Sequence, residues 1–212
     1  MPTASTSKGE LRRRCLVDAA VELLREGGIS AIRHRAVAER AGVPLSATTY
    51  YFKSIDDLVA SAIEHCSLHE HERMQGLVDH ITVRRRGGRA TAELLADLYA
   101  APGGRVERDM LIARYERLTG SARVSDLREL QRGLARPYGW MLAEVLRKCR
   151  RRADPAGMAG ITAIINGTIL AGLLDTETDL RATTRDALLP VLDVYAPPLA
   201  DGEVRGAAAD PA

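Results

Sequence analysis

The sequence predicts an all-α protein: an N-terminal three-helix helix-turn-helix domain followed by a helical bundle. Three observations predict it. Apolar residues recur at helical spacing along the chain, and no stretch alternates with period two for long. Glycines, prolines and capping residues punctuate that pattern where helices start and stop. The 212 residues, 46% of them hydrophobic and 27% charged, suffice for one or two packed domains.

The first helix, about Gly9 to Glu26, carries Leu16, Ala19, Ala20, Leu23 and Leu24 on one face. Gly27-Gly28 ends it. A short helix from Ser30 to Arg40 turns Val37, Ala38 and Ala41 inward, and Gly42 supplies the left-handed residue that stops it. Pro44 opens a third helix that runs to Phe52. Ser54 is an N-cap before Asp56 and Asp57, whose charges favour a helix start. That fourth helix is expected to run to about Val83, where Arg84-Arg85-Arg86-Gly87-Gly88 breaks it. Further amphipathic segments fall at about 89–101, 105–119, 124–150, 155–174 and 179–195, with Asp154-Pro155 as a cap and first turn. Residues 1–8 and 197–212 are rich in small residues and Pro and read as disordered tails. The domains expected are therefore 9–54 for the head and 55–196 for the bundle.

Composition narrows the function. The longest apolar stretch, Ile161 to Leu174, is interrupted by Thr162, Asn166 and Thr168, so no membrane span is expected. Met1 to Glu10 is polar, without the apolar core of an export signal, and the expected location is cytoplasmic. Cys15, Cys66 and Cys149 are too few and too far apart for a disulfide framework or a Cys-based zinc site, and read as buried small residues. No cofactor or metal is expected. Net charge is only +2, but residues 1–53 carry 9 Lys and Arg against 5 Asp and Glu, whereas the rest carries 21 against 23. That local excess is the footprint of a segment that meets a polyanion.

Two short helices joined by Ala41-Gly42-Val43-Pro44 make a helix-turn-helix whose second helix can enter a major groove. That helix, Leu45-Ser46-Ala47-Thr48-Thr49-Tyr50-Tyr51, has no large apolar side chain between Leu45 and Phe52 other than its tyrosines. Small residues let a helix approach base edges, and Thr and Tyr hydroxyls can donate to phosphates. Thr48 and Phe52, four residues apart, are its inward face.

Cys15-Leu16, Ala19-Ala20 and Leu23-Leu24, then His34-Arg35-Ala36-Val37-Ala38-Glu39-Arg40-Ala41-Gly42-Val43-Pro44, Thr49-Tyr50-Tyr51-Phe52 and Asp57-Leu58 give residues 10–60 a pattern that resembles the N-terminal domain of the TetR/AcrR transcriptional repressors. The remainder resembles that family only as a helical bundle of suitable length. The resemblance implies a homodimer that binds a palindromic double-stranded DNA operator through two heads, and a C-terminal effector-binding and dimerisation domain that releases DNA when a small molecule binds. It implies that Leu45, Ser46 and Ala47 face bases, that Thr49, Tyr50 and Tyr51 hold phosphates and thymine methyls, and that His34 and Arg35 also reach DNA. Two positions depart from the pattern: Arg33 stands at the usual Ser/Thr cap, and Ile55 where a lysine is common, leaving Lys53 or Arg33 to supply that phosphate contact.

Other groupings read more plainly. His65 and His69 with Glu72 could bind zinc, but polar residues on an exposed helix explain them. Arg84-Arg85-Arg86 reads as a solvated helix end, Pro102-Gly103-Gly104 as a turn, and Arg12-Arg13-Arg14 either as phosphate ligands or as surface charge. Gly160, Ala163, Gly167 and Ala171 form a small-residue stripe which, with Leu188 and Leu192 of the last helix, is expected to be a dimer interface rather than subunit core. Tyr99, Met110, Arg114, Tyr115, Trp140 and Met141 combine large, adaptable and polar side chains as a candidate ligand pocket. No catalytic set shares a local frame, so an enzyme is not expected; a constitutive DNA binder without an effector, or less favourably an enzyme on a helical scaffold, are the alternatives.

Overall fold

The computed structural model describes residues 4–100 and 105–200, without the side chains of 4–7 and 105–107. Its helices are α1 (Ala4–Ala31), α2 (His34–Arg40), α3 (Leu45–Tyr51), α4 (Ile55–Asp79), α5 (Gly88–Tyr99), α6 (Arg105–Ser121), α7 (Ser125–Lys148), α8 (Pro155–Gly172), α9 (Leu180–Leu188) and α10 (Leu192–Tyr195). Among the described residues the one extended pairing is an isolated antiparallel bridge between Arg151 and Pro198, so the fold is all-α. Contacts divide the chain into two compact units, residues 1–72 with 108–136 and residues 73–107 with 137–212. Helices α4, α6 and α7 are each divided between the two units, and neither unit begins at residue 55. In α7 the division falls at Pro137, an in-helix proline that cannot donate to the preceding turn.

In the first unit Leu16, Ala20 and Leu24 of α1 meet Val37 of α2, Phe52, Leu58, Ala62 and Ile63 around α4, and Leu127 of α7 in one core. The α1 stripe is the one the sequence predicts, except that Leu23 is only partly buried. Gly27 and Gly28 break α1, the second with φ of 66°. Gly42, at φ 65°, closes α2 as a Schellman cap: its N–H donates to Glu39 O at 3.2 Å and that of Val43 donates to Ala38 O at 3.0 Å. Ser54 caps α4 as expected, accepting from Asp57 N, while Asp57 accepts in return from Lys53 N at 3.0 Å.

In the second unit Ile161, Ile165 and Ile169 of α8, Leu188 and Leu192 of the last two helices, Leu95 and Leu98 of α5, and Met141, Leu142 and Val145 of α7 are buried. Asp154 caps α8 through Gly157 N at 2.7 Å, with Pro155 in the first turn. Helix α8 is long and apolar enough to cross a membrane by length and composition, a property the Thr and Asn interruptions do not remove, and only 22% of it is buried.

Several boundaries differ from the sequence reading. Helix α1 begins at Ala4, because Ala, Ser and Lys after Pro2 extend a helix already nucleated by the following turns. Helix α2 begins at His34 rather than Ser30, with Arg33 extended at its N-cap and no side-chain cap bond. Helix α4 stops at Asp79, where Lys148 Nζ donates to the carbonyls of Val78 and Asp79. Arg84-Arg85-Arg86 is thus no helix end: Arg84 N and Arg86 N donate to Lys148 O and Cys149 O in an extended segment. The last helix divides near Pro190, and residues 197–200 are tied to 150–152 by backbone bonds from Arg152 N to Pro197 O and Leu199 N to Arg150 O. Cys15 is exposed, one position off the buried stripe, while Cys66 and Cys149 are buried. The expected turn at 102–104 and the tail positions 1–3 and 201–212 lie outside the described residues.

Candidate nucleic-acid interface

Helix α3 is anchored mainly by Thr48 and Phe52, and most of its other residues are exposed. Thr48 and Phe52 are buried, as the four-residue spacing predicts, and the Thr48 hydroxyl donates to Leu45 O at 2.8 Å, so its burial leaves no hydroxyl unpaired. Leu45, Ser46, Thr49 and Tyr50 are exposed and Ala47 is partly so. Tyr50 is 81% exposed, a large cost in apolar surface for a helix with no partner on that side. Tyr51 meets Tyr50 edge to face at 4.9 Å between centroids and is half-buried. Lys53, Arg33 and Arg35 are exposed and His34 is half-buried on the same two-helix unit.

Two arginines near this surface are already engaged. Arg13 lies over the Phe52 ring at 5.0 Å and donates to Ser61 Oγ at 3.1 Å, although like Arg12 and Arg14 it is exposed. Arg40 bridges Glu22 and Glu26 of α1 at 3.1 and 2.7 Å. The hydrogen bond from Arg40 holds the Glu26 carboxyl below its usual range. These contacts fix α2 against α1 and so set the angle at which α3 is presented. Sequence spacing does not reveal them.

The other predicted sites fare differently. His65 and His69 meet edge to face at 5.1 Å, with Asp18 and Glu72 near their ring nitrogens, and among the described residues no group of His, Cys, Asp and Glu could hold a metal ion. Of the six ligand candidates, Met110, Arg114 and Tyr115 belong to the first unit and Tyr99, Trp140 and Met141 to the second. Tyr99 and Met141 are buried, and Tyr99 donates to Tyr138 O at 2.6 Å, while Trp140 is 55% exposed and Met110 also faces solvent. Burial raises the Tyr115 phenol above its usual range. A groove of about 650 Å³ in the first unit runs between α1 and α4, past Leu11, Arg14, Val17, Ser61 and His65, and none of the six lines it.

The stripe on α8 is also split. Ala163, Gly167 and Ala171 are exposed, and a Cβ on Gly167 would meet nothing within 4 Å. Gly160 instead lies under the Tyr195 ring, 2.9 Å from where its Cβ would stand, and Leu188 and Leu192 are fully buried. Leu188 and Leu192 are thus subunit core rather than a bare interface, and Gly160 is partly covered, because α9 and α10 fold back on α8.

Residues 16–62 match the model for bacterial regulatory proteins of the tetR family, and residues 86–194 match that for the tetracyclin repressor-like C-terminal domain. The HTH-type transcriptional regulator BetI of Paraburkholderia xenovorans (strain LB400) is 27% identical over 187 residues, covering 84% of this chain and 90% of that protein. Of solved structures, the transcriptional regulator SCO7518 of Streptomyces coelicolor A3(2) is 28% identical with a TM-score of 0.66, over 85% of this chain and 97% of its own. The multidrug binding protein EbrR, complexed with proflavin, is also 28% identical, with a TM-score of 0.64 over 85% and 99%.

Proposed function

Since the chain belongs to the TetR family of transcriptional regulators, we propose that it binds an inverted-repeat operator as a homodimer, represses from there, and is released by a small-molecule effector. The observation that carries the reading is α3, a helix held by Thr48 and Phe52 whose outward face offers Ser46, Ala47, Thr49 and Tyr50 to a major groove. Leu45, Ser46 and Ala47 contact base edges; Thr49, Tyr50, Tyr51, His34, Arg35 and Lys53 contact the backbone.

Two considerations support the dimer. A single short reading helix buries too little for specific affinity at physiological salt. Helix α8 meanwhile leaves Ala163, Gly167, Leu170 and Ala171 bare, with Leu174 just past its end, and no charged side chain among them, which suits a second copy packed at close range. Effector release is supported by the likeness to EbrR, which binds proflavin. No turnover is part of this reading.

Selection of duplexes from a random pool by the purified protein, followed by footprinting, tests it. An enriched inverted repeat with half-sites about one helical turn apart or more is expected. No enrichment over random duplex would leave a constitutive, sequence-independent binder.

A further inference from the structure

Inside the first unit lies a polar cluster that DNA reading does not use. Ser67, Glu70 and His71 share one face of α4, three and four residues apart, and Arg114, Arg117 and Ser121 share one face of α6. Two ion pairs join the faces: Arg114 donates to Glu70 Oε1 at 3.2 Å and Arg117 Nη2 to Glu70 Oε2 at 3.1 Å. From α7, Gln131 stands one turn before Leu134, whose backbone is a hydrogen-bond partner of His71.

Buried polar groups in folded proteins almost always find partners. Here Ser67, Ser121 and Arg117 are 1%, 0% and 4% exposed, yet Ser67 Oγ, Ser121 Oγ and Arg117 Nε have no hydrogen-bond partner among the described residues, and neither does Gln131 Oε1. A helical hydroxyl can bond the carbonyl one turn back, as Thr119 does to Tyr115 O at 2.9 Å. The two serines do not. Three of these four atoms belong to donors, one of them on a permanently charged guanidinium. The His71 imidazole is held below its usual range by burial, against the opposing pull of Glu70 and of the Leu134 backbone, with a small further push from Arg117. The Cys66 thiol is pushed up by burial, with Arg117 the foremost charge pulling it back.

We propose that this cluster is a binding site for the carboxylate of a small organic monoacid, held by Arg117 Nε and the hydroxyls of Ser67 and Ser121, and that its occupancy is the regulatory event. The regulatory half rests on the effector reading above; the binding half does not. Three buried donors without partners in one cluster can supply the hydrogen bonds that one carboxylate accepts. The neighbouring Glu70 carboxylate selects a monoanion over a phosphate dianion, because like charges in a buried site repel strongly. Gln131 Oε1 is left to accept from a hydroxyl or amide on the rest of the ligand. A carboxylate seated here competes with Glu70 for Arg117 and so changes the tie between α6 and α4, the helix that follows α3 directly in the chain.

The test uses the full chain with ¹⁵N-labelled arginine, the Arg117 Nε–H resonance being assigned by its loss in Arg117→Lys. Sodium acetate is titrated against sodium chloride and acetamide at constant ionic strength. A saturable shift of that resonance with acetate alone is expected, and Ser67→Ala and Ser121→Ala should each weaken it roughly tenfold, as for loss of a hydrogen bond to a charged group. In the absence of acetate both variants should melt no lower than wild type, since each removes an unpaired hydroxyl, a result that a purely structural role for the serines would not give. Should acetate move the resonance no more than chloride does, the cluster holds ordered water only and the site is overturned. Retention of the selected operator by acetate-saturated protein, with the resonance fully shifted, would overturn the regulatory half and leave the site standing.

Discussion

Helices α3 and α8 each leave a face without a partner in the chain, and the two faces are chemically opposite. The face of α3 carries hydroxyls and a tyrosine, with Lys53, Arg33 and Arg35 close in sequence; that of α8 carries alanine, glycine and leucine. A bare polar face is stable in water and gains by meeting a polyanion. A bare apolar face loses free energy for every Å² left wet and is stable only when covered. Their anchoring differs as well. Helix α3 has seven residues and is held mainly by Thr48 and Phe52, whereas α8 has eighteen and buries Ile161, Ile165 and Ile169. The comparison can be broken at either helix.

The largest effect is expected from Phe52→Ala. The ring is almost wholly buried and also supports the Arg13 guanidinium, so its loss should destabilise the first unit by about 3–5 kcal/mol. Denaturant unfolding followed by circular dichroism measures this, and a midpoint equal to that of wild type would mean that α3 is held by something else. Next in size is Gly167→Leu. Because a side chain there meets open space within the subunit, the fold should survive. Sedimentation should instead show monomers, with operator affinity at least about tenfold weaker, or 1.4 kcal/mol. A variant that sediments as a wild-type dimer would remove α8 from the interface. Tyr50→Phe deletes one exposed hydroxyl and should cost about 0.5–1.5 kcal/mol in operator affinity at fixed salt while the melting temperature stays put. An unchanged affinity would turn Tyr50 away from the phosphates.

The contrast also explains what was legible in the sequence. The head could be read because its signals are local: Gly42 needs the left-handed region for its turn, Ser54 must precede Asp57 by three residues, and Thr48 and Phe52 must lie one turn apart. The family pattern over residues 10–60 rests on the same spacings. Helix α8 could be read as apolar with a small-residue stripe, but not which side is covered. That is decided by Tyr195 folding over Gly160 and by Leu188 and Leu192 turning inward, contacts made across tens of residues. Residue type alone marks the ligand candidates, and type does not distinguish buried Met141 from exposed Trp140 beside it. The interior cluster went unseen because serine and glutamine carry no sequence signal of burial. Even the end of α4 was set from afar, by the Lys148 ammonium on its last carbonyls.

The smallest effect is expected in the interior of the first unit, and its sign follows from one imidazole and one carboxyl group. The His71 pKa is depressed from 6.5, first by burial, so the folded chain binds its proton less readily than the unfolded chain does. Between the folded pKa and 6.5 the unfolded state therefore holds more protons and stability rises with pH; it is fully present above 6.5 and is lost as pH falls through the folded value. Glu26 is also depressed, by its hydrogen bond from Arg40, but from 4.5, so its window lies at lower pH, and its exposure to solvent leaves it little weight. Melting curves between pH 7.5 and 5.5 should thus isolate the histidine. The melting temperature should fall toward the acid end in wild type, and His71→Gln, which keeps an amide donor but does not titrate, should flatten the slope. The helix-turn-helix surface lacks such a dependence on His71, so Tyr50→Phe should leave the slope intact. A His71→Gln protein with the wild-type slope would mean that protons act elsewhere and that the α4–α6 interior is not where acid first loosens the unit.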